Sequence, residues 1–323
     1  MCLYPRLILN RRYLPTKKNN YNPPKLYDER LKYVAIGCGN CIECRKQKAN
    51  EWRTRLNEEL KKGAKGYFVT LTFTNENLLQ LREECKNIYD DNTCAILAVR
   101  RFLERWRKHT GKSVRHWLIT ELGHENTERI HLHGIIFTNI ALDNDNLQKI
   151  WQYGDVFVGD YCNERTINYI VKYVTKIDTD HKGYTAKILA SAGIGNNYDK
   201  DSMHMKHKYR GKDTIEYYTL PNGYKCALPI YYRNKMWNEQ EREQLWLNKI
   251  EQDRIFVRGI ECKNVSTKEG QENYLRLIKE QQEDNIAMGY GDNSEEWKKR
   301  NYRSILKTLN SKKREKTRKH NIN

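Results

Sequence analysis

The stretch "RIHLHGIIF", residues 129–137, sets His131 and His133 two apart in a run otherwise rich in apolar residues. On a strand, residues two apart point to the same face, so both imidazoles would project together. Polar groups placed in such a run need partners. A carboxylate is available upstream. If the segment folds back on "RHWLITEL" with Leu122 opposite Ile130, Glu121 falls directly across from His131, on the face that carries both histidines. Two imidazoles and a carboxylate can hold one divalent cation. With open positions the set suits a Mg²⁺ or Mn²⁺ that polarises a phosphate, although the ligand types also admit Zn²⁺. His124, in the loop between the two segments, is a candidate further ligand or a solvated loop histidine.

Some 35 residues on, "INYIVKYVTK" (residues 167–176) places two tyrosines four apart, each with a lysine three positions downstream. At about 100° per residue, Ile167, Ile170, Val171 and Val174 share one helix face, while Tyr169, Lys172, Tyr173 and Lys176 gather on nearly the opposite one. A pair of packed tyrosines is the plainest account of such a helix taken alone. Behind a metal site, the pair supplies nucleophiles. A phenol with a pKa near 10 is weakly nucleophilic at neutral pH. Lys172 and Lys176 would favour phenolate and neutralise transition-state charge, or simply contact phosphate. Attack by tyrosine on a DNA phosphate leaves a 5′-phosphotyrosyl link and a free 3′-hydroxyl.

A third set is thiol. Cys38, Cys41 and Cys44 are spaced C-x2-C-x2-C, and Cys2 could supply a fourth ligand for a structural Zn²⁺. The alternative is a turn of small residues capping the basic helix that follows; an iron–sulfur cluster has no other support in the chain. Nine cysteines, an odd number unevenly placed, fit metal ligation in a reducing compartment better than a disulfide framework.

These groups need elements to hold them. The first 30 or so residues show no helical period and read as an arm. "RKQKANEWRTRLNEELKKGAKG" predicts a basic helix closed by Gly63 or Gly66, "YFVTLTF" a strand over 67–73, and "NTCAILAVRRFLERWRKHTGK" a helix with Asn92 or Thr93 as cap and Gly111 as stop. Two strands follow around the loop "GHENTER", then a short helix in "DNDNLQKIWQYG", a strand in "DVFVG" and the tyrosine helix. The order β-α-β-β-α-β then helix predicts an α+β fold, a central antiparallel sheet of ferredoxin or RNA-recognition type with helices on one face. Beyond it come a flexible loop near "SAGIGNNYDKD", a hairpin turning at "PNG", and a helical, charged tail. The expected divisions are 1–63 (arm, cysteine cluster, basic helix), 64–237 (metal site, tyrosine helix and hairpin extension) and 238–323 (helical basic region).

The composition names the partner class. Net charge is +18 over 323 residues, with 22 tyrosines and 7 tryptophans, and the pI is near 9.4. Positive charge with interspersed aromatics suits single-stranded nucleic acid, whose bases stack on flat side chains. A membrane partner is not expected: no apolar run reaches spanning length, and the opening "MCLYPRLILNRRYLP" lacks the features of a signal peptide. The run "KKRNYRSILKTLNSKKREKTRKH" would bind nucleic acid non-specifically, engage a host protein or lie solvated.

Together these motifs carry a resemblance. "RIHLHGIIF" resembles the His-hydrophobe-His motif of HUH endonucleases, "YIVKYVTK" the two-tyrosine motif of rolling-circle replication initiators, and "YFVTLTF" the first motif of the same group. "CGNCIECRKQKANEWRTRL" and "LPIYYRNKMW" are similar to segments of the initiators of small single-stranded DNA phages, the gokushovirus type of microvirus. The resemblance spans about residues 1–237. It implies the HUH fold, nicking of the viral strand at an origin with Glu121, His131 and His133 on the metal, and alternation of Tyr169 and Tyr173 to release a circle. It also implies a host cytoplasm as the place of action. Many relatives carry proline before the first histidine, where this chain has Ile130. Transposases and relaxases share the site, but transposases of this fold commonly use one tyrosine. A non-enzymatic, zinc-stabilised nucleic-acid-binding protein is the rival of another class. No G-x4-G-K-[ST] loop occurs, so helicase and polymerase would come from the host.

Overall fold

The computed structural model describes residues 1–63, 65–85, 90–124, 127–181, 184–198 and 202–292, the side chains of Ser202 and Met203 excepted. The basic run within 298–320 lies outside the described residues. In chain order the elements are β1 (Arg6–Leu9), β2 (Tyr33–Ile36), α1 (Ile42–Leu60), β3 (Lys65–Leu71), α2 (Asn75–Glu84), α3 (Asp91–Thr110), β4 (Arg115–Leu122) and β5 (Ile130–Thr138). There follow α4 (Asn144–Trp151), β6 (Val156–Tyr161), α5 (Glu164–Thr175), β7 (Ile188–Ala190), β8 (Tyr217–Thr219), β9 (Lys225–Ala227), α6 (Ile230–Met236), α7 (Glu239–Glu251), β10 (Arg254–Val257), β11 (Ile260–Lys263) and α8 (Lys268–Ala287). The described chain divides into two compact units, Met1–Thr54 with the residues from Tyr198 on, and Arg55–Asn197. These divisions fall at different places from those expected at 63/64 and 237/238.

The unit around Arg55–Asn197 is built on a five-stranded antiparallel sheet in the order β6-β3-β5-β4-β7. Its first four strands therefore interleave two β-α-β units, as the order of elements anticipated. Strand alternation divides the residues between two faces. Tyr67, Val69 and Leu71 of β3, Leu118 and Leu122 of β4, and Ile130, Leu132 and Ile136 of β5 join one core with Leu78 and Leu81 of α2, Ala98 and Phe102 of α3, and Leu147 and Trp151 of α4. Burying this apolar surface is the main driving force for the unit.

The expectation of helices on one face needs correction. The tyrosine helix α5 lies over the opposite face, where Phe68, Glu121 and His133 project. That face also carries Trp117, Ile119 and Ile135, fully buried, so it too requires a cover. The apolar stripe Ile167, Ile170, Val171 and Val174 of α5 is buried, as the helical period predicted.

Helix ends follow side-chain chemistry. The cap of α3 is Asp90, which accepts from the Asn92 N–H, two residues earlier than the expected cap; its stop is Gly111, at φ 73°. Asn163 and Thr166 form a reciprocal capping box that starts α5. Within the sheet, Gly134 between His133 and Ile135 has no room for a side chain, since a Cβ would lie 2.2 Å from the Trp117 carbonyl oxygen. A glycine here lets β4 and β5 run close together.

The other unit departs further from expectation. The arm is not irregular throughout, for β1 and β2 pair antiparallel from Arg6↔Ile36 to Leu9↔Tyr33. The hairpin at "PNG" is present as β8 and β9. The region expected to be helical also contains a hairpin, β10–β11, whose turn places Arg258 and Gly259 at φ 49° and 89°. Two successive positive φ values suit the right-handed twist of paired strands. No helix among the described residues is long and apolar enough to cross a membrane.

Candidate metal and tyrosine site

The register of β4 against β5 pairs Leu122 with Ile130 and Glu121 with His131, as parity required. Glu121 Oε2 lies 3.2 Å from His131 Nε2 and 3.0 Å from His133 Nε2. The two rings meet edge to face, 4.9 Å between centroids and 88° apart. Each ring is oriented from its other nitrogen: His133 Nδ1 lies 3.0 Å from Thr70 Oγ1, and His131 Nδ1 lies 3.4 Å from the Arg129 carbonyl oxygen. With Nδ1 donating, Nε2 keeps a lone pair for a cation, the usual arrangement of metal-binding histidines. Burial opposes charge on Glu121, but hydrogen bonds with His131, His133 and Lys176 outweigh it and hold the carboxyl well below the usual range. A charged carboxylate between two imidazole nitrogens is a donor set that fits a divalent cation.

Helix α5 brings both tyrosines to this triad. The Tyr173 ring stacks on His133 at 4.6 Å and 17°. The Tyr169 and Tyr173 hydroxyls are hydrogen-bonded at 3.0 Å. Their exposures differ: Tyr169 is 46% exposed and Tyr173 only 8%. Placing the two equally on the solvent side was therefore too simple. On the helical wheel Tyr173 flanks Ile170, so it sits at the edge of the buried stripe and turns inward onto the histidine. Burial, the Tyr169 hydrogen bond and the nearby Glu121 charge push the Tyr173 phenol above its ordinary value.

The lysines are placed differently from a simple pairing with the phenols. Lys172 Nζ lies over the Tyr169 ring, 3.7 Å from its centroid, a cation–π contact. Lys176 Nζ donates to Glu121 Oε1, tying the end of α5 to the triad. Two contributors were not singled out from sequence, Thr70 and Phe68 of β3. The Phe68 ring lies 6.0 Å from that of Tyr169 and 6.2 Å from that of His133. Their signal was present in "YFVTLTF", where alternation puts Phe68 and Thr70 on the histidine face. His124 is not brought to the triad; it pairs with Asp180 at 2.8 Å and faces Asp178 and His181.

The four cysteines of the arm and α1 converge as well. Cys2, Cys38, Cys41 and Cys44 have sulfurs all within 4.8 Å of one another, and none is disulfide-bonded. The Cys2–Cys41 and Cys38–Cys44 separations are each 4.0 Å. Tetrahedral zinc with bonds of about 2.3 Å spaces its sulfurs by about 3.8 Å. Gly39, at φ 81°, makes the turn between Cys38 and Cys41. Asn285 of α8, fully buried, accepts from the Ile42 N–H and so caps α1 beside the cluster. Leu3, Ile42 and Val257 wall it in.

A model of a replication-associated protein family, the one described by its ORF2 member, matches residues 66–178, the span that holds the triad and both tyrosines. The chain is 25% identical over 247 residues to the replication-associated protein VP4 of Bdellovibrio phage phiMH2K, covering 70% of this chain and 74% of that protein. No solved structure matches. The two comparisons bear out the resemblance to phage rolling-circle replication initiators read from the motifs.

Proposed function

We propose that this protein initiates rolling-circle replication of a circular single-stranded phage genome, as an HUH-type endonuclease and strand transferase acting in the bacterial cytoplasm. The carrying observation is the convergence of Glu121, His131 and His133 with two hydrogen-bonded tyrosine hydroxyls from a separate helix. The interleaved strand order and the family match over 66–178 support the same reading.

In this proposal Glu121, His131 and His133 hold Mg²⁺ or Mn²⁺. A cation there would polarise the scissile phosphate and offset the Glu121 charge that disfavours phenolate at Tyr173. One tyrosine oxygen attacks phosphorus, the bond to the 3′ oxygen breaks, and the strand's 5′ end is retained on the enzyme while a 3′-hydroxyl is freed for a host polymerase. The second tyrosine then attacks at the regenerated origin, and the freed 3′-hydroxyl displaces the first tyrosine to close a circle. The Tyr169–Tyr173 hydrogen bond gives the phenolic proton a path between the two nucleophiles. Lys172 holds Tyr169 and screens phosphate charge; Lys176 orients Glu121. Unwinding falls to a host helicase. Cys2, Cys38, Cys41 and Cys44 hold a structural Zn²⁺.

Labelled single-stranded origin oligonucleotides incubated with the purified protein and Mn²⁺ test the proposal. It expects a denaturation-resistant protein–DNA adduct that chelation prevents. Tight DNA binding with no adduct at any origin-derived sequence would leave the non-enzymatic binding protein.

A further inference from the structure

A third group of metal-binding side chains lies apart from the triad and the cysteines. His124 follows β4, whereas Asp178 and His181 follow α5; one ligand atom from each lies within 4.8 Å of the others. The Asp178 side chain is 7% exposed. His181 Nδ1 is 2.9 Å from its carboxylate, and His124 Nε2 is 3.9 Å from Asp178 Oδ2. The two rings lie 5.8 Å apart.

The far side of each ring is what marks the group. His124 turns Nε2 toward Asp178 and holds its Nδ1 2.8 Å from Asp180 Oδ2. His181 turns Nδ1 toward Asp178 and its Nε2 toward Glu128 Oε1, at 3.7 Å. Each imidazole thus presents one nitrogen to a shared centre and the other to a separate carboxylate. A carboxylate behind a histidine fixes its tautomer and raises its basicity as a ligand, and metal-ligating histidines nearly always have such a partner. Two imidazoles and one carboxylate suit a borderline cation of the Zn²⁺ type, with a position left for water.

We propose that His124, Asp178 and His181 form a second divalent-cation site, with Asp180 and Glu128 as the outer carboxylates that orient the two rings. Its ligands come from the loop after β4, which supplies Glu121 to the triad, and from the segment directly after α5, which carries the tyrosines. A bound cation clips these two segments together, and so restrains the end of the tyrosine helix against the hairpin that bears the histidines.

Zinc counting on the full chain tests this. A His131→Ala/His133→Ala background removes the triad from the count, and the cysteine cluster contributes equally to every sample. After dialysis against Zn²⁺, the background should hold one equivalent more than the same chain carrying His124→Ala and His181→Ala. Equal zinc in two chains with matching circular dichroism would overturn the site. A second measurement needs no substitution: Zn²⁺ added to the unaltered protein should slow carbethoxylation of His124 and His181, read by peptide mass spectrometry. Unchanged modification of both would count equally against it. Neither experiment involves DNA, so its outcome is independent of the nicking test.

Discussion

The Tyr173 ring lies 17° from parallel with the His133 imidazole, 4.6 Å away, so a candidate nucleophile packs directly on a candidate metal ligand. The two come from different elements, and each fixes the other. His133 is positioned from beneath by Thr70 and from above by Tyr173. Tyr173 in turn holds the hydroxyl of the more exposed Tyr169.

That arrangement bears on the two-step reaction. Tyr169→Phe and Tyr173→Phe should each keep the fold, because only a hydroxyl is removed, and each should still cleave or join origin oligonucleotides. Neither should release closed circles, since the second transfer needs a fresh hydroxyl. The double variant should form no adduct. Circle release by Tyr169→Phe at the normal rate would return Tyr169 to a packed surface residue.

Thr70→Val keeps the β-branched shape and removes the partner of His133 Nδ1. Loss of such an orienting hydrogen bond lowers metal affinity by about 10- to 100-fold. Adduct formation titrated with Mn²⁺ should shift to higher concentration by that factor, with the unfolding midpoint little changed.

The cysteine cluster should carry about one Zn²⁺ in protein purified without added metal. Cys41, fully buried in its apolar surround, is the most revealing position. Cys41→Ser should abolish bound zinc and, at a few kcal/mol lost, lower the thermal midpoint of that unit by about 10 °C. Zinc-free protein with all four thiols freely reactive would leave the capped turn.

Glu59, at the end of α1, is buried. Burial opposes its charge, but Arg115, the Gly195 N–H and Lys62 outweigh that and draw its pKa below the ordinary 4.5. A carboxyl with a lower pKa folded than unfolded contributes stability that is complete above about pH 4.5 and lost as pH falls through the folded value. Glu59→Gln should therefore unfold more readily than wild type at pH 7, with the difference shrinking toward pH 3. Arg115→Ala, leaving the carboxylate buried, should cost on the order of 3 kcal/mol at pH 7. Denaturant midpoints at both pH values check the pair.

Local rules made much of the site readable in advance. Strand parity decided that Glu121, His131 and His133 share a face, because a one-residue slip would send all three to the other side. The helical period picked out the buried stripe of α5. Parity cannot say which side of the sheet a helix will cover, and α5 took the side not occupied by α2, α3 and α4. The burial of Tyr173 depended on that choice. The β10–β11 hairpin escaped notice because its strands are short and charged, and its turn uses Arg258 before Gly259 rather than a familiar Asn-Gly pair. His124, Asp178 and His181 were unreadable as a group, since two segments far apart in sequence meet only in the folded unit.

Asn285 capping α1 beside the cysteines sets an order of events during synthesis. Every strand of the central sheet lies between residues 55 and 197, so that unit has all its parts soon after residue 197 is made. The cysteine unit begins first and finishes last: Cys2 to Cys44 emerge early, but Val257 and Asn285, which enclose them, come some 240 residues later. At about 5–20 residues per second the thiols wait roughly 10 to 50 s for their cover. The cell's free zinc and its reductants therefore have first access to a site that the finished fold encloses.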